Sequence, residues 1–128
     1  MKKILLLSAL CLFITTPAYS QDPEVTRAVF ATGVENREPI EIITEFFATT
    51  GGTVYFFSEL MNMEGQRFYH VWNKNGEEVY RFGGVAGSAR WRTHSSMKVE
   101  HFKADDVVGV DVVGADGETY RSASMHIR

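Results

Sequence analysis

The stretch RWRTHSS, Arg90 to Ser96, gathers two arginines, a tryptophan and a histidine within seven residues. Guanidinium forks match carboxylate and phosphate groups bidentately, so such a row is a candidate site for an anionic group. In an extended chain, alternate side chains point to opposite faces. Trp91, Thr93, Ser95 and Met97 then share one face, and Arg90, Arg92, His94 and Ser96 share the other. Trp91 carries the larger apolar payload, so its face is expected inside and the basic row outside. The preferred reading of that row is a wetted strand face whose arginines pair with Glu or Asp on neighbouring strands.

His70 and Trp72 share a strand face with Phe68. Trp72 is expected as the central core aromatic. His70 is then expected at the core's margin, where it needs a hydrogen-bond partner. The alternative is an outward aromatic platform that binds sugar or peptide. The loop ENREP, Glu35 to Pro39, is polar between two apolar runs, and Pro39 holds Glu38 extended. Arg37 there either belongs to a local turn network or docks on a neighbouring strand and completes a groove. The candidate ligand-binding residues are therefore Arg37, His70, Trp72, Arg90, Arg92 and His94.

Other chemistries find less support. A metal site needs three or four converging ligands, and His70, His94, His101 and His126 show no metal-binding spacing. No metal or other cofactor is expected. Glycoside hydrolysis needs two carboxyls facing each other at about 5–10 Å. Glu77-Glu78 and Asp105-Asp106 are adjacent pairs and read as solvated turn chemistry. GGVAGS, Gly83 to Ser88, lacks the lysine of a phosphate loop and reads as a flexible connection. Ser95 and Ser96 neighbour His94 in sequence, but Ser95 points to the other face and Ser96 lies one pleat away. No nucleophile–base pair is indicated there, and no enzyme is expected.

The elements that must position these residues are strands. TVYFFSEL follows the turn TTGG and places Val54, Phe56, Ser58 and Leu60 on one face. GQRFYHVWNKNGEEVYRF reads as a hairpin around Asn75-Gly76, a pair suited to the two positive φ angles of a type I′ turn. Val108, Val110 and Val112 alternate, Asp116-Gly117 makes a turn, and the chain returns through Tyr120 to Ile127. EVTRAVFATG reads as a first strand, and PIEIITEFF as a strand or irregular edge segment. About seven short strands without a helix predict an all-β fold, an antiparallel immunoglobulin-like β-sandwich.

The N-terminus carries Lys2 and Lys3, an apolar run from Ile4 to Ile14, and small residues at Ala18 and Ser20. This is the pattern of a cleaved signal peptide over 1–20, and the run is short of the ~20 residues a membrane helix needs. A single domain over 21–128 is expected to be periplasmic or secreted. Its cleavage removes Cys11, the chain's one cysteine, so no disulfide is available. Loss of the two lysines takes the net charge from −3 to −5. An acidic domain is a poor nucleic-acid binder, because phosphate contacts dominate that affinity.

Five segments occur in one order: GVENREP from Gly33, VYFFSEL from Val54, HVWNKNG from His70, RWRTHSS from Arg90 and VDVVGADGETYRSASM from Val110. In this the chain resembles the bacterial domain-of-unknown-function family twenty-nine-fourteen. The resemblance covers nearly all of 21–128 and implies a small β-rich domain, exported alone or attached to a membrane segment. It implies no activity. The family's tryptophan before the VDVV strand is replaced here by Val107 and Val108.

The leading expectation is an exported, non-catalytic β-sandwich module that binds a protein partner or an envelope polymer. A small periplasmic hydrolase would need His70, Arg92 and His94 in one cleft. A structural assembly module would pair with another chain through a free sheet edge.

Overall fold

The computed structural model describes residues 21–128; the expected signal peptide falls outside the described residues. Among the described residues there are nine strands: β1 (Glu24–Glu35), β2 (Glu38–Ile43), β3 (Glu45–Phe46), β4 (Thr53–Met61), β5 (Arg67–Lys74), β6 (Glu77–Val85), β7 (Arg90–Lys98), β8 (Val107–Gly114) and β9 (Thr119–Ile127). They form a four-stranded sheet, β2-β1-β4-β7, and a five-stranded sheet, β3-β9-β8-β5-β6. All neighbours are antiparallel except β3, which runs parallel to β9. The fold is an all-β, immunoglobulin-like sandwich. Two more strands form than the roughly seven expected, and both come from the ambiguous segment Pro39 to Phe47, with β2 beginning one residue before it. Its residues pair first with β1 and then with β9, so the chain crosses from one sheet to the other.

Period-two alternation builds the interior. Val54, Phe56, Ser58 and Leu60 of β4 are completely buried. Facing them are Phe68, His70 and Trp72 of β5 and Val108, Val110 and Val112 of β8. Phe30 and Phe56 meet edge to face at 5.3 Å, and both rings pack edge-on against Trp72. Trp72 has no exposed surface. It is the central core aromatic and cannot serve as an outward platform.

The Asn75-Gly76 turn takes φ of 51° and 88°, both positive as a type I′ turn requires. Two loop expectations are corrected. Gly83 and Gly84 belong to β6, because the rings of Tyr69 and Phe68 lie across them on the neighbouring strand. A Cβ at either would come within 2.9 Å of a ring carbon. Asp106 is not solvated: it is buried and accepts hydrogen bonds from the Lys103 backbone N–H and the Asn75 side chain. These bonds, the Lys103 N–H foremost, hold its carboxyl below the usual aspartate range. Asp106 thereby fastens the entry to β8 to the β5–β6 turn.

Candidate functional site

Alternation sends Ser95 of β7 inward, away from His94 and toward β5. There Ser95 Oγ lies 2.7 Å from His70 Nδ1 and accepts the Trp72 indole N–H at 2.9 Å. Ser58 Oγ of β4 lies 2.8 Å from His70 Nε2. His70 is thus not at the core's margin but at its centre, with no exposed surface and both ring nitrogens occupied. Burial first, and the charge of His94 second, depress its pKa to about 3. The ring is neutral at physiological pH, which removes the cost of an unpaired buried charge. Ser–His contacts at these distances suit nucleophile activation, yet Ser58 and Ser95 are themselves buried and no substrate reaches them. The cluster ties the two sheets together.

The other face of β4 and β7 carries the charged residues. Arg90 Nε donates to Glu59 at 2.7 Å, and Arg27 of β1 reaches the same carboxylate at 3.3 Å. Arg27 also holds Glu38 of β2 bidentately at 3.0 and 2.7 Å, and Arg92 donates to Glu38 at 2.7 Å. The two guanidinium groups drop the Glu38 pKa to about 2. Burial works to raise the Glu59 pKa, but the Thr26 hydroxyl and the two arginines outweigh it and the net shift is downward. The arginines therefore pair with acids, as preferred from the sequence. Arg37 docks on β7, its guanidinium 5.2 Å from the Trp91 ring centre. Trp91 is half-buried against the core edge.

Of the six candidates, Arg90, Arg92 and His94 share the outer face of β7, and Arg37 lies against Trp91 of the same strand. The structure buries His70 and Trp72 between the sheets. His70 cannot share a cleft with Arg92 and His94, because the sheet lies between them; a hydrolase built on those three is excluded. Sequence reasoning missed Arg27, Glu38 and Glu59, whose roles depend on which strands become neighbours.

The basic row does not end at His94. It continues through Ser96 to Lys98, paired across to Tyr55 and Thr53. These residues, with Tyr80, Met97, Glu100 and His101, line an open cleft of about 510 Å³. A second hollow of about 320 Å³, over Gly51 and Gly52, adjoins it through shared Thr53, Lys98 and Glu100. Tyr55 also stands 6.0 Å from the His94 ring. Among the described residues, neither Lys98 nor His101 is in a salt bridge. The two-residue step from Arg90 to Lys98 was legible in the sequence; Tyr80, from the other sheet, was not.

The arrangement offers the Lys98 ammonium, the His101 imidazole, the Glu100 carboxylate, two tyrosine rings and, among the described residues, an unpaired sheet edge, since β7 ends its sheet. No cluster of metal-ligating side chains occurs among the described residues.

No protein-family model matches the chain, and no curated protein does. Among solved structures, an immunoglobulin-like protein from Pseudomonas aeruginosa is similar, with a TM-score of 0.58 at 14% identity. The match covers 86% of this chain and 99% of that one. The likeness is one of fold.

Proposed function

We propose that the protein is an exported, non-catalytic β-sandwich module that binds an extended acidic segment of a partner protein at the β7 edge and its cleft. The carrying observation is the cleft itself, where among the described residues Lys98 and His101, with Glu100 beside them, stand without salt-bridge partners next to Tyr55 and Tyr80. Pockets of this volume with aromatic walls and a few polar groups are typical ligand sites. Of the two partner classes expected from sequence, the free backbone groups of β7 favour a polypeptide, which adds as a strand. The β6 edge is less suited: a bulge interrupts it opposite Trp72 and Asn73, and Glu77, Glu78 and Arg81 charge it. Assembly through that edge is disfavoured for the same reason. Export rests on the sequence pattern of residues 1–20, and the resemblance to family twenty-nine-fourteen accords with an exported domain.

NMR titration of residues 21–128 tests the reading, with a tetraglutamate peptide as probe and polygalacturonate as the polysaccharide comparison. The peptide should shift Thr53, Tyr55, Lys98 and His101 at low salt, and Lys98→Ala should weaken it several-fold. Shifts scattered over the surface overturn the site. Shifts from polygalacturonate alone overturn the choice of partner.

A further inference from the structure

The β1–β2 hairpin does not continue flat beside its sheet. Glu38 pairs with Glu35, eight positions beyond Arg27 on β1, a distance of ~26 Å along an extended strand. Yet Glu38 and Arg27 form a salt bridge at 2.7 Å. Nor can Glu38 reach Arg92 within the sheet, since β1 and β4 lie between β2 and β7. Both contacts require the outer half of the hairpin to fold back over the face of the sheet. The bend is visible in the backbone. Pairing of β1 with β4 ends at Ala31, the β1–β2 register skips Thr32 and Glu41, and Glu41 has φ of 54°. Beneath lie Ala31 and Phe57, which face away from the core yet have no exposed surface. The Arg27 guanidinium covers the Phe57 ring at 4.8 Å.

The tip is strained. Asn36 and Arg37 take φ of 50° and 60°, the type I′ geometry whose second corner normally holds glycine. A non-glycine residue persists there only where its surroundings compensate. Here the compensation is the stack of Arg37 on Trp91, with Glu38 held between Arg27 and Arg92.

We infer that the segment Gly33 to Ile40 is a latched strap that occupies, with its own Glu38 carboxylate, a docking face for an acidic segment of a partner. Release of the strap leaves Arg27, Arg90 and Arg92 against the single acid Glu59, around an apolar floor of Phe57. That face continues along β7 into the cleft at Lys98, so an incoming strand displaces Glu38 by exchanging one carboxylate for another. The inference extends the cleft reading without depending on it, because the strap's contacts stand whatever the cleft binds.

Hydrogen exchange read by mass spectrometry on residues 21–128 tests the latch. Amides of 33–40 should exchange about tenfold faster in Glu38→Gln, and also in the unchanged protein at about 1 M salt, while 68–72 stay protected. Acrylamide should quench Trp91 more strongly in both cases, since Trp72 is sealed. Tetraglutamate at low salt should bind Glu38→Gln about tenfold more tightly than the unchanged protein, and Lys98→Ala should leave that ratio intact. Unchanged exchange at 33–40 in both arms overturns the strap. Faster exchange that spreads to 68–72 overturns it too, as general destabilisation. An opened strap without a gain in affinity overturns the docking face while leaving the cleft reading standing. Should Glu38→Gln fail to fold, the high-salt arm decides the strap alone.

Discussion

Acid should weaken this fold well before its carboxylates protonate, and His70 sets the size of the effect. The unfolded chain takes up a proton on His70 around the ordinary value of 6.5, whereas the folded protein resists until about pH 3. Between those values the unfolded state binds one more proton than the native state. Stability therefore rises with pH and falls on acidification, by about 1.4 kcal/mol per pH unit once below the unfolded midpoint. From about pH 7.5 down to 4.5 the loss integrates to ~2.7 kcal/mol. That is a large share of the ~5–15 kcal/mol that small domains possess. Carboxylates of the unfolded chain take up protons near their ordinary value of 4.5, so the part of the window above about pH 5.5 reads His70 nearly alone, and the His70→Gln reference subtracts the carboxylate share below it. Urea unfolding of residues 21–128 at several pH values measures the slope, with His70→Gln as the non-titrating reference. NMR gives an independent check, because the His70 ring signals should stay constant down to about pH 4.5. A His70 signal that titrates near pH 6, or a slope unchanged in His70→Gln, would refute the reasoning.

Further acidification should bring a second loss as Glu38, Glu59 and Asp106, whose folded pKa values are lowered, protonate; their stabilisation is present above the unfolded carboxyl pKa and disappears below it. The check is a steeper fall of urea midpoints below about pH 4.5, and a flat profile there would contradict the charge network. Ser95→Ala removes the partner of both the His70 and Trp72 ring nitrogens and should cost about 2–4 kcal/mol, whereas a loss below about 1 kcal/mol would show the cluster to be incidental. Gly84→Ala drives a methyl group to 2.9 Å from the Phe68 ring and should cost about 1–3 kcal/mol, measured by thermal unfolding; a neutral result would mean the ring moves freely. Trp72→Ala should cost about 3–5 kcal/mol, and a stable variant would argue against its central place.

Much of the architecture was legible because a pleated strand has a period of two. That rule alone separated Val54, Phe56, Ser58 and Leu60 from Tyr55, Phe57 and Glu59, and put Trp91 and Ser95 on the opposite side from Arg92 and His94. The Asn75-Gly76 turn was legible for a different reason, since few residue pairs accept two positive φ angles. The period-two rule is silent on the burial of Phe57, which faces outward yet has no exposed surface, because alternation does not report what folds over a sheet.

The local sequence determined which side chains share a face and where the chain turns, for these follow from bond geometry between near neighbours. Only the tertiary structure decided what each face meets. It set His70 between Ser58 and Ser95, from strands 12 and 25 residues away, and brought Glu38 to Arg92 across 54 residues. Such meetings depend on sheet order and on a bend at Thr32 and Glu41, and those arise from packing the whole sandwich at once. Hydrogen bonds and ion pairs act over a few ångströms in space, and the chain's own order carries no measure of that distance.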